Sequence, residues 1–313
     1  MARNVAADDS KHSTFLYNHA MKLLHIHAHH DDFEFVAAGT FALWRQTLGD
    51  RLDARIIVCT DGQAGHHYRT REETGRMRQD EQESAAKLAG VEFLQLSDHE
   101  EKLFREGCVT TDVRFLAAIW KAIRDFEPDY LFCPPLPESP LAGVHPDHLA
   151  VAEAVRRVAY MINVPHAFTP EYPADETQSR PCKVPVILHV HDGYMSGANS
   201  WDLAVDVEPV FGLITEITWC HQSQIAEWLP WVDRHNLHAP TSKADWAGQL
   251  RRRFEGVARE MGLGRLTAAE FFRVSAWGTV PTARKLMADF PGLIEPAATL
   301  SRLEERLRRW SGT

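Results

Sequence analysis

Features that would place this chain in a membrane or on a nucleic acid are missing. No apolar run reaches the roughly eighteen residues that a membrane-spanning helix needs, and residues 1–19 lack the apolar core of a secretion signal. Lysine and arginine number 34 against 43 aspartates and glutamates, so the net charge is −9 and no basic excess is present for nucleic-acid binding. We therefore expect a cytoplasmic protein with no membrane span and no nucleic-acid partner.

Cysteine is also scarce. The five cysteines, at positions 59, 108, 133, 182 and 220, are widely spaced and form no Cys-x-x-Cys pair. This pattern predicts neither a disulfide framework nor a cysteine-based metal site. Internal repeats and low-complexity segments are absent as well. What remains is an ordinary globular composition, 44% hydrophobic and 25% charged, in a chain long enough for one large α/β domain or two small ones.

Short apolar runs typical of strands alternate with segments of helical periodicity. The predicted strands cover residues 23–28, 54–59, 91–96, 130–133, 186–190 and 203–207. The predicted helices cover residues 35–48, 76–88, 111–126, 148–161, 211–227, 244–261 and 281–289, and the region after residue 211 has a mostly helical pattern. This alternation predicts an α/β fold with a Rossmann-like, doubly wound and mostly parallel sheet flanked by helices.

Three segments lie outside this alternation. Residues 1–20 are predicted to form an N-terminal arm, and the proline-rich residues 165–185 a long surface loop or lid. Residues 281–313 are predicted to form a helical C-terminal extension that ends in a short amphipathic helix at 300–310. The main domain would then cover residues 21–280.

Two short polar runs follow predicted strands. The first is His-His-Asp-Asp at residues 29–32, and the second is His-Pro-Asp-His at residues 145–148. Ligands of an open α/β sheet bind beyond the carboxyl ends of its strands, so two clusters that are distant in sequence can meet in one cleft. A hydrolase with one metal ion needs such a set, because it uses a few ligands together with a free carboxylate and a free imidazole for proton transfer.

The spacing of these residues suggests a metal site. His29 and Asp32 are three residues apart across a strand-to-helix turn, so both can reach one ion, and His148 opens a later helix as a third ligand. Three ligands leave one position of a tetrahedral zinc ion free for a water molecule. The alternative for any single histidine is a structural or solvated role, since the chain has 17 of them.

The two runs resemble the motifs of the PIG-L/LmbE-like de-N-acetylases, zinc enzymes that remove acyl groups from N-acylated glucosamine-type substrates. The first motif of that family is His-Pro-Asp-Asp followed by Glu, directly or after one residue, and here Glu34 follows residues 29–32 after one residue. The second family motif, His-Pro-Asp-His, is intact at residues 145–148. The resemblance covers about residues 21–280 and implies the same three zinc ligands.

The resemblance also implies catalytic roles. Asp31 would be the general base, and His145 would polarise the substrate carbonyl or protonate the leaving amine. Asp147 would orient His145. For Asp31 the alternative is that its side chain only caps the helix that follows.

Three further positions resemble substrate-binding residues of the family: Arg78, Asp98 and His221. Arg78 has an alternative role as a helix-surface ion pair with Glu81, and His221 has one as a helix-packing residue. His30 replaces the proline of the family motif, and we expect it either to bind substrate or to face solvent. The segment between residues 65 and 78 is longer than in the family.

These features predict a zinc-dependent hydrolase that removes an N-acetyl or other acyl group from an amino-sugar-containing small molecule. An amidase acting on a thiol-sugar conjugate and a catalytically silent metal- or sugar-binding module are the alternatives. The presence of Asp31 and His145, which are not needed for ligation, argues against the silent module. The expected cofactor is Zn²⁺ and the expected partner an N-acetylated sugar or glycoside. The resemblance and the apolar C-terminal helices favour a homo-oligomer.

Overall fold

A computed structural model describes residues 20–195, 197–294 and 297–309 of the chain. The predicted N-terminal arm, apart from residue 20, lies outside these residues. The strands are β1 (Met21–His27), β2 (Leu52–Val58), β3 (Glu92–Gln95), β4 (Tyr130–Cys133), β5 (Val186–Val190), β6 (Leu203–Asp206) and β7 (Ala269–Val274). The helices are α1 (Asp32–Val36), α2 (Ala38–Leu48), α3 (Arg71–Ala89), α4 (Val113–Phe126), α5 (Pro146–Ala159), α6 (Asp175–Gln178), α7 (Phe211–Trp219), α8 (Leu229–Val232), α9 (Lys243–Glu260), α10 (Ala283–Asp289) and α11 (Ala297–Arg308). A π-helical segment, Ser223–Trp228, precedes α8.

One sheet contains these strands in the order β3-β2-β1-β4-β5-β7-β6. Strands β1 to β5 pair in parallel, and β7 is antiparallel to both of its neighbours, β5 and β6. From β1 the chain first builds outward through β2 and β3, and then continues on the other side with β4 and β5. The switch point of this doubly wound sheet therefore lies between β1 and β4, and the predicted α/β fold class is confirmed.

Alternate side chains of the central strands enter two separate cores. In β4, Tyr130 and Phe132 pack with residues of α2 and α7, whereas Leu131 and Cys133 pack with residues of α4 and α5. Both faces of the sheet are thus covered, which explains why the central strands are continuous apolar runs. No helix within the described ranges is long and apolar enough to span a membrane.

Strand β7 was not among the predicted strands, and it lies between two predicted helices in a region that was expected to be mostly helical. Residues 269–274 form a nearly fully buried antiparallel strand. The carboxylate of Glu270 accepts the backbone N–H groups of Gly39 and Thr40, both at 2.8 Å, in the first turn of α2. A negative charge at a helix N-terminus is favourable, so this buried side chain ties the last strand to an early helix.

Helices α10 and α11 lie within the predicted C-terminal extension and pack into the main core. Leu303 and Leu307 of α11 are buried in the same core as Trp44 of α2. The indole N–H of Trp44 donates to the carbonyl of Asp289 at 2.6 Å, and its ring lies 4.5 Å from that of Phe290. The described part of the C-terminal extension therefore belongs to the body of the protein.

Helix α3 begins five residues before the predicted start at Arg76, at Arg71. Thr70 and Glu73 form a capping box: the Thr70 hydroxyl accepts the Glu73 amide at 3.3 Å, and the Glu73 carboxylate accepts the Thr70 amide at 3.0 Å. Much of the segment between residues 65 and 78 is therefore helix and not loop.

Candidate metal centre and active site

The first polar run forms the turn between β1 and α1. β1 ends at His27, and Asp31 has a φ of 102°, a left-handed conformation that costs a non-glycine residue about 1–3 kcal/mol. The backbone N–H of Asp31 donates to Oε1 of Gln82 in α3 at 3.1 Å, which helps to hold this turn. Because of this strained turn, the two adjacent carboxylates point in different directions. Asp31 faces α3, whereas Asp32 faces His148.

The second polar run forms the entry to α5. His145 precedes the helix, and Pro146 occupies its first position, where the missing N–H of proline needs no partner. His148 follows in the first turn and is buried. Because β1 and β4 are adjacent and parallel, the two runs meet beyond the carboxyl ends of neighbouring strands, at the switch point of the sheet.

The structure brings the three predicted metal ligands together. Nδ1 of His29 lies 3.1 Å from Nε2 of His148 and 3.4 Å from the carboxylate of Asp32. Nε2 of His148 lies 3.5 Å from the same carboxylate. Tetrahedral zinc with bonds of about 2.0–2.1 Å keeps its ligand atoms roughly 3.3 Å apart. The donor set and its spacing therefore fit a zinc ion.

Two further carboxylates orient the imidazole rings. The Nε2–H of His29 donates to Asp147 at 3.0 Å, and the Nδ1–H of His148 donates to Asp192 at 2.6 Å. Each bond leaves the other ring nitrogen facing the ligand cluster, as is typical of metal-binding histidines. Asp147 was expected to orient His145, but its described hydrogen bonds go to His29 and to backbone amides of the loop after β3.

Overlapping groups of potential ligands exist around the same centre. Within the described residues, His29, His145 and His148 present ligand atoms within 4.8 Å of one another, and so do His27, His148 and Asp192. His148 belongs to both groups. The region as a whole is therefore a concentrated cluster of metal-binding side chains at one edge of the sheet.

Asp31 and His145, the two residues predicted to act on the substrate, line the same cavity as the cluster. Burial raises the pKa of Asp31 to about 7, against the opposing effect of the Arg78 guanidinium at 3.6 Å. Asp31 precedes α1, but its side chain makes no capping hydrogen bond, so the structure does not support the cap alternative. Burial and the nearby rings of His29 and His148 lower the pKa of His145 to about 4.

Arg78 lines the cavity, and it is buried and paired on the inside of the protein. Its Nη1 donates to Glu106 at 2.7 Å, and its Nη2 donates to the carbonyl of His30 at 2.9 Å. The alternative pairing with Glu81 is wrong, since that carboxylate accepts hydrogen bonds from Ser223. Burial opposes ionisation of Glu106, but the charge of Arg78 prevails and lowers the pKa of Glu106 to about 2.

Asp98 and His221 are not among the residues that line the cavity. The carboxylate of Asp98 accepts the amides of Glu100 and Lys102 and the guanidinium of Arg114, so it stabilises the turn after β3. His221 is fully buried, with Nε2 at 3.4 Å from Glu34. Both side chains therefore contact other parts of the protein and do not border the cavity.

His30 faces neither the cavity nor solvent, so both expectations for it are wrong. Only 1% of the residue is exposed, and its ring packs against Phe93 of β3 and against Gly62. Burial and the charge of Arg78 keep the pKa of His30 well below its ordinary value. The ring fills a space behind the turn of the first polar run.

The cavity has a volume of about 480 Å³, within the usual range for small-molecule sites. Part of its lining, which we call the reaction wall, consists of His29, Asp31, Asp32, His145 and His148. Another part, which we call the apolar wall, consists of Val36, Ile225, Trp228, Leu229, Trp246 and Leu250. One continuous space therefore joins the candidate centre to a hydrophobic surface.

Sequence reasoning missed three supporting residues: Gln82, Glu106 and Asp192. A signal existed for Asp192, because it follows a predicted strand closely and the carboxyl end of that strand points to the same edge of the sheet. Gln82 lies mid-helix and Glu106 lies in an irregular loop, so neither stands in a recognisable pattern.

This chain is thus an α/β protein with a doubly wound sheet, and a cluster of histidines and carboxylates lies at the switch point of that sheet. Residues 24–159 match the model of the PIG-L family, described as GlcNAc-PI de-N-acetylase. The resemblance seen in the motifs is thus confirmed over this part of the chain. The match supports a hydrolase of the N-deacetylase type.

Solved structures share the fold. N,N'-diacetylchitobiose deacetylase from Pyrococcus horikoshii is 19% identical with a TM-score of 0.62, over 82% of this chain and 84% of that one. The 4-carboxy-2-hydroxymuconate hydratase from Pseudomonas putida is 14% identical with a TM-score of 0.56, over 81% of this chain and 95% of that one. A conserved protein from Thermus thermophilus is 17% identical with a TM-score of 0.56, over 81% and 94%. Among curated proteins, the chain has no significant match. A fold that is shared with a hydratase does not by itself decide the reaction.

Proposed function

We propose that this protein is a zinc-dependent hydrolase that removes an N-acetyl or related N-acyl group from an amino-sugar-containing small molecule. The observation that carries the proposal is the close approach of three side chains, His29, Asp32 and His148. The shortest distance between each pair of them is 3.1–3.5 Å, and Asp31 and His145 line the same cavity. A silent binding module has no use for the last two residues at this position.

His29, Asp32 and His148 would hold the metal, and Asp147 and Asp192 orient the two imidazoles. Bound zinc supplies Lewis-acid polarisation of a carbonyl and lowers the pKa of a coordinated water to about 7.

The remaining residues of the reaction wall handle protons and charge. Asp31 accepts a proton from the attacking water, whose oxygen bonds to the carbonyl carbon. His145 donates a hydrogen bond to the carbonyl oxygen, where negative charge develops. The C–N bond then breaks as the nitrogen receives the proton that Asp31 had taken from the water, and the free amine and acetate leave. An amidase acting on a thiol-sugar conjugate would use the same groups in the same way.

The test is acetate release from a panel of N-acetylated sugars, aminoglycosides and thiol-sugars. We expect release by the zinc-loaded protein, loss after chelation, and recovery when Zn²⁺ is added back. Undiminished release by the fully chelated protein would refute metal dependence. A protein that binds one zinc ion per chain but releases an acyl group from no member of the panel would be a silent module.

The variant His145→Ala tests the proposed role of His145 in stabilising the oxyanion. Removal of a group that stabilises the developing oxyanion is expected to lower turnover by roughly a hundredfold. The zinc content should not change, since the proposed ligand set does not include this residue. Unaltered turnover would mean that His145 has no part in the reaction and only precedes α5.

A further inference from the structure

The apolar wall has no role in the chemistry proposed above. It consists mainly of side chains from the chain segment 225–250, which lies outside the part that matches the family model. Its residues present hydrocarbon surface to the same cavity that contains the reaction wall. A purely polar sugar would leave hydroxyl groups without partners on such a surface, which is unfavourable.

Two residues form the inner part of the wall. Leu250 is fully buried and Trp246 is 7% exposed, and both lie on α9. The only side-chain donor of Trp246, its indole N–H, donates to the hydroxyl of Thr218 at 2.8 Å inside the protein. Trp246 therefore offers the cavity only carbon atoms.

The outer part of the wall is held in place by the π-helical segment. Ser223, at the start of that segment, donates two hydrogen bonds to Glu81 of α3, at 2.7 Å and 2.6 Å. Gln224 donates to the carbonyl of Gly65 at 3.2 Å. Both anchors fix the backbone that carries Trp228 and Leu229. π-Helical turns frequently occur at functional sites, and this one shapes the cavity.

We propose that the substrate carries an alkyl chain or an aromatic ring, which binds against the apolar wall while its amide group lies at the reaction wall. This inference rests on the proposed deacylase function and narrows its substrate class to apolar conjugates of N-acylated amino sugars. Each methylene that is fully buried contributes about fourfold in affinity. The apolar group can be part of the acyl chain or part of the aglycone.

Two substrate series distinguish these sources. One compares methyl, hexyl and octyl 2-acetamido-2-deoxyglucosides, and the other compares N-acetyl, N-hexanoyl and N-octanoyl glucosamine. We expect kcat/KM to rise by about tenfold or more from the shortest to the longest member of one series. The series that rises identifies which end of the substrate lies on the wall. Equal kcat/KM values within both series would overturn the inference.

Trp228→Ala and Trp277→Ala are matched variants. Trp277 is also partly buried, but its ring packs against His189 at 4.4 Å and it is not part of the cavity lining. Trp228→Ala should reduce the preference for the long substrate to within about threefold, whereas Trp277→Ala should keep it. A preference that survives Trp228→Ala and Trp246→Phe alike would contradict the wall as its cause.

Calorimetric binding of the octyl and methyl 2-amino-2-deoxyglucosides separates this inference from the proposed function, because these amines have no acyl group to lose. Tighter binding of the octyl compound, together with no hydrolysis of any substrate, would refute the proposed function and leave the apolar site standing. Equal binding, together with hydrolysis and equal kcat/KM values within the N-acyl series, would refute the apolar site alone.

Discussion

The reaction wall and the apolar wall come from parts of the chain that differ in kind. The reaction wall is formed by two short polar runs, at residues 29–32 and 145–148, each fixed beyond the end of a parallel strand. The apolar wall is formed mostly by helical segments between residues 225 and 250, whose apolar residues resemble those of any packed helix. The proposed chemistry depends on a few residue types in fixed order, whereas the proposed substrate selection depends on which apolar helix faces no other element covers.

The comparison also separates what is shared from what is particular. The family match ends at residue 159, so it includes the reaction wall and, of the apolar wall, only Val36. If the reaction wall and the apolar wall have these separate roles, substitutions in the reaction wall should change metal binding or turnover for every substrate. Substitutions in the later half should change substrate preference or stability instead.

The largest effect is expected from removal of a ligand. His148→Ala should abolish zinc binding and with it all hydrolysis, because two ligands rarely hold a catalytic zinc ion. Metal analysis of the purified variant measures this, and His99→Ala, an exposed histidine after β3, serves as the control. Full zinc occupancy in His148→Ala would remove this residue from the ligand set, and His29→Ala and Asp32→Ala test the other two in the same way.

Asp31→Asn should lower kcat by roughly a hundredfold or more while zinc content and folding stay the same, since asparagine keeps the size but cannot accept the proton. Steady-state kinetics together with metal analysis measure both properties. The Asp31 side chain makes no capping bond, so a loss of helix stability is not expected to confuse the result. Turnover near that of the wild type would refute the general-base assignment.

Asp147→Asn should weaken zinc binding by about 10- to 100-fold, the usual effect of removing a carboxylate that orients a metal-binding histidine. A competition titration with a chromogenic chelator gives the affinity. Asp98→Asn is the matched control, because that carboxylate also accepts backbone amides but lies away from the cavity lining. An equal weakening in both variants would mean that the effect is not specific to His29.

The smallest effect on activity is expected at the C-terminus. Leu303→Ala should lower the free energy of unfolding by about 2–5 kcal/mol, as is typical of a cavity made in a core, because the side chain is fully buried. Zinc content per folded chain should stay unchanged. Urea unfolding measures the loss, and Leu88→Ala, at a leucine that is 49% exposed, is the control. Similar stability of both variants would indicate that α11 does not contribute to the main core.

Several features followed from local sequence signals. The alternation of strands and helices, the parallel sheet and the meeting of residues 29–32 with 145–148 all depend on short-range patterns and on a general rule of sheet topology. The early start of α3 was also readable, since Thr70 and Glu73 have the spacing of a capping box. Hydrophobic periodicity, by contrast, begins only later in the helix.

Other features had no local signal. β7 joins the sheet because its residues fill the space between β5 and β6, and its partners are far away in sequence. The same holds for Glu106, which pairs with Arg78 of α3 from a loop, and for His30, whose ring is buried behind the turn.

By itself, the sequence determined the α/β fold class, the family resemblance and the identity of the residues in the reaction wall. These properties depend on residue type and on order along the chain. Only the tertiary structure decided that Asp147 supports His29, that Asp192 supports His148, and that Trp228 and Trp246 border the same cavity. The physical reason is that a hydrogen-bond partner or a cavity wall is chosen by distance in space, which packing of the whole chain sets.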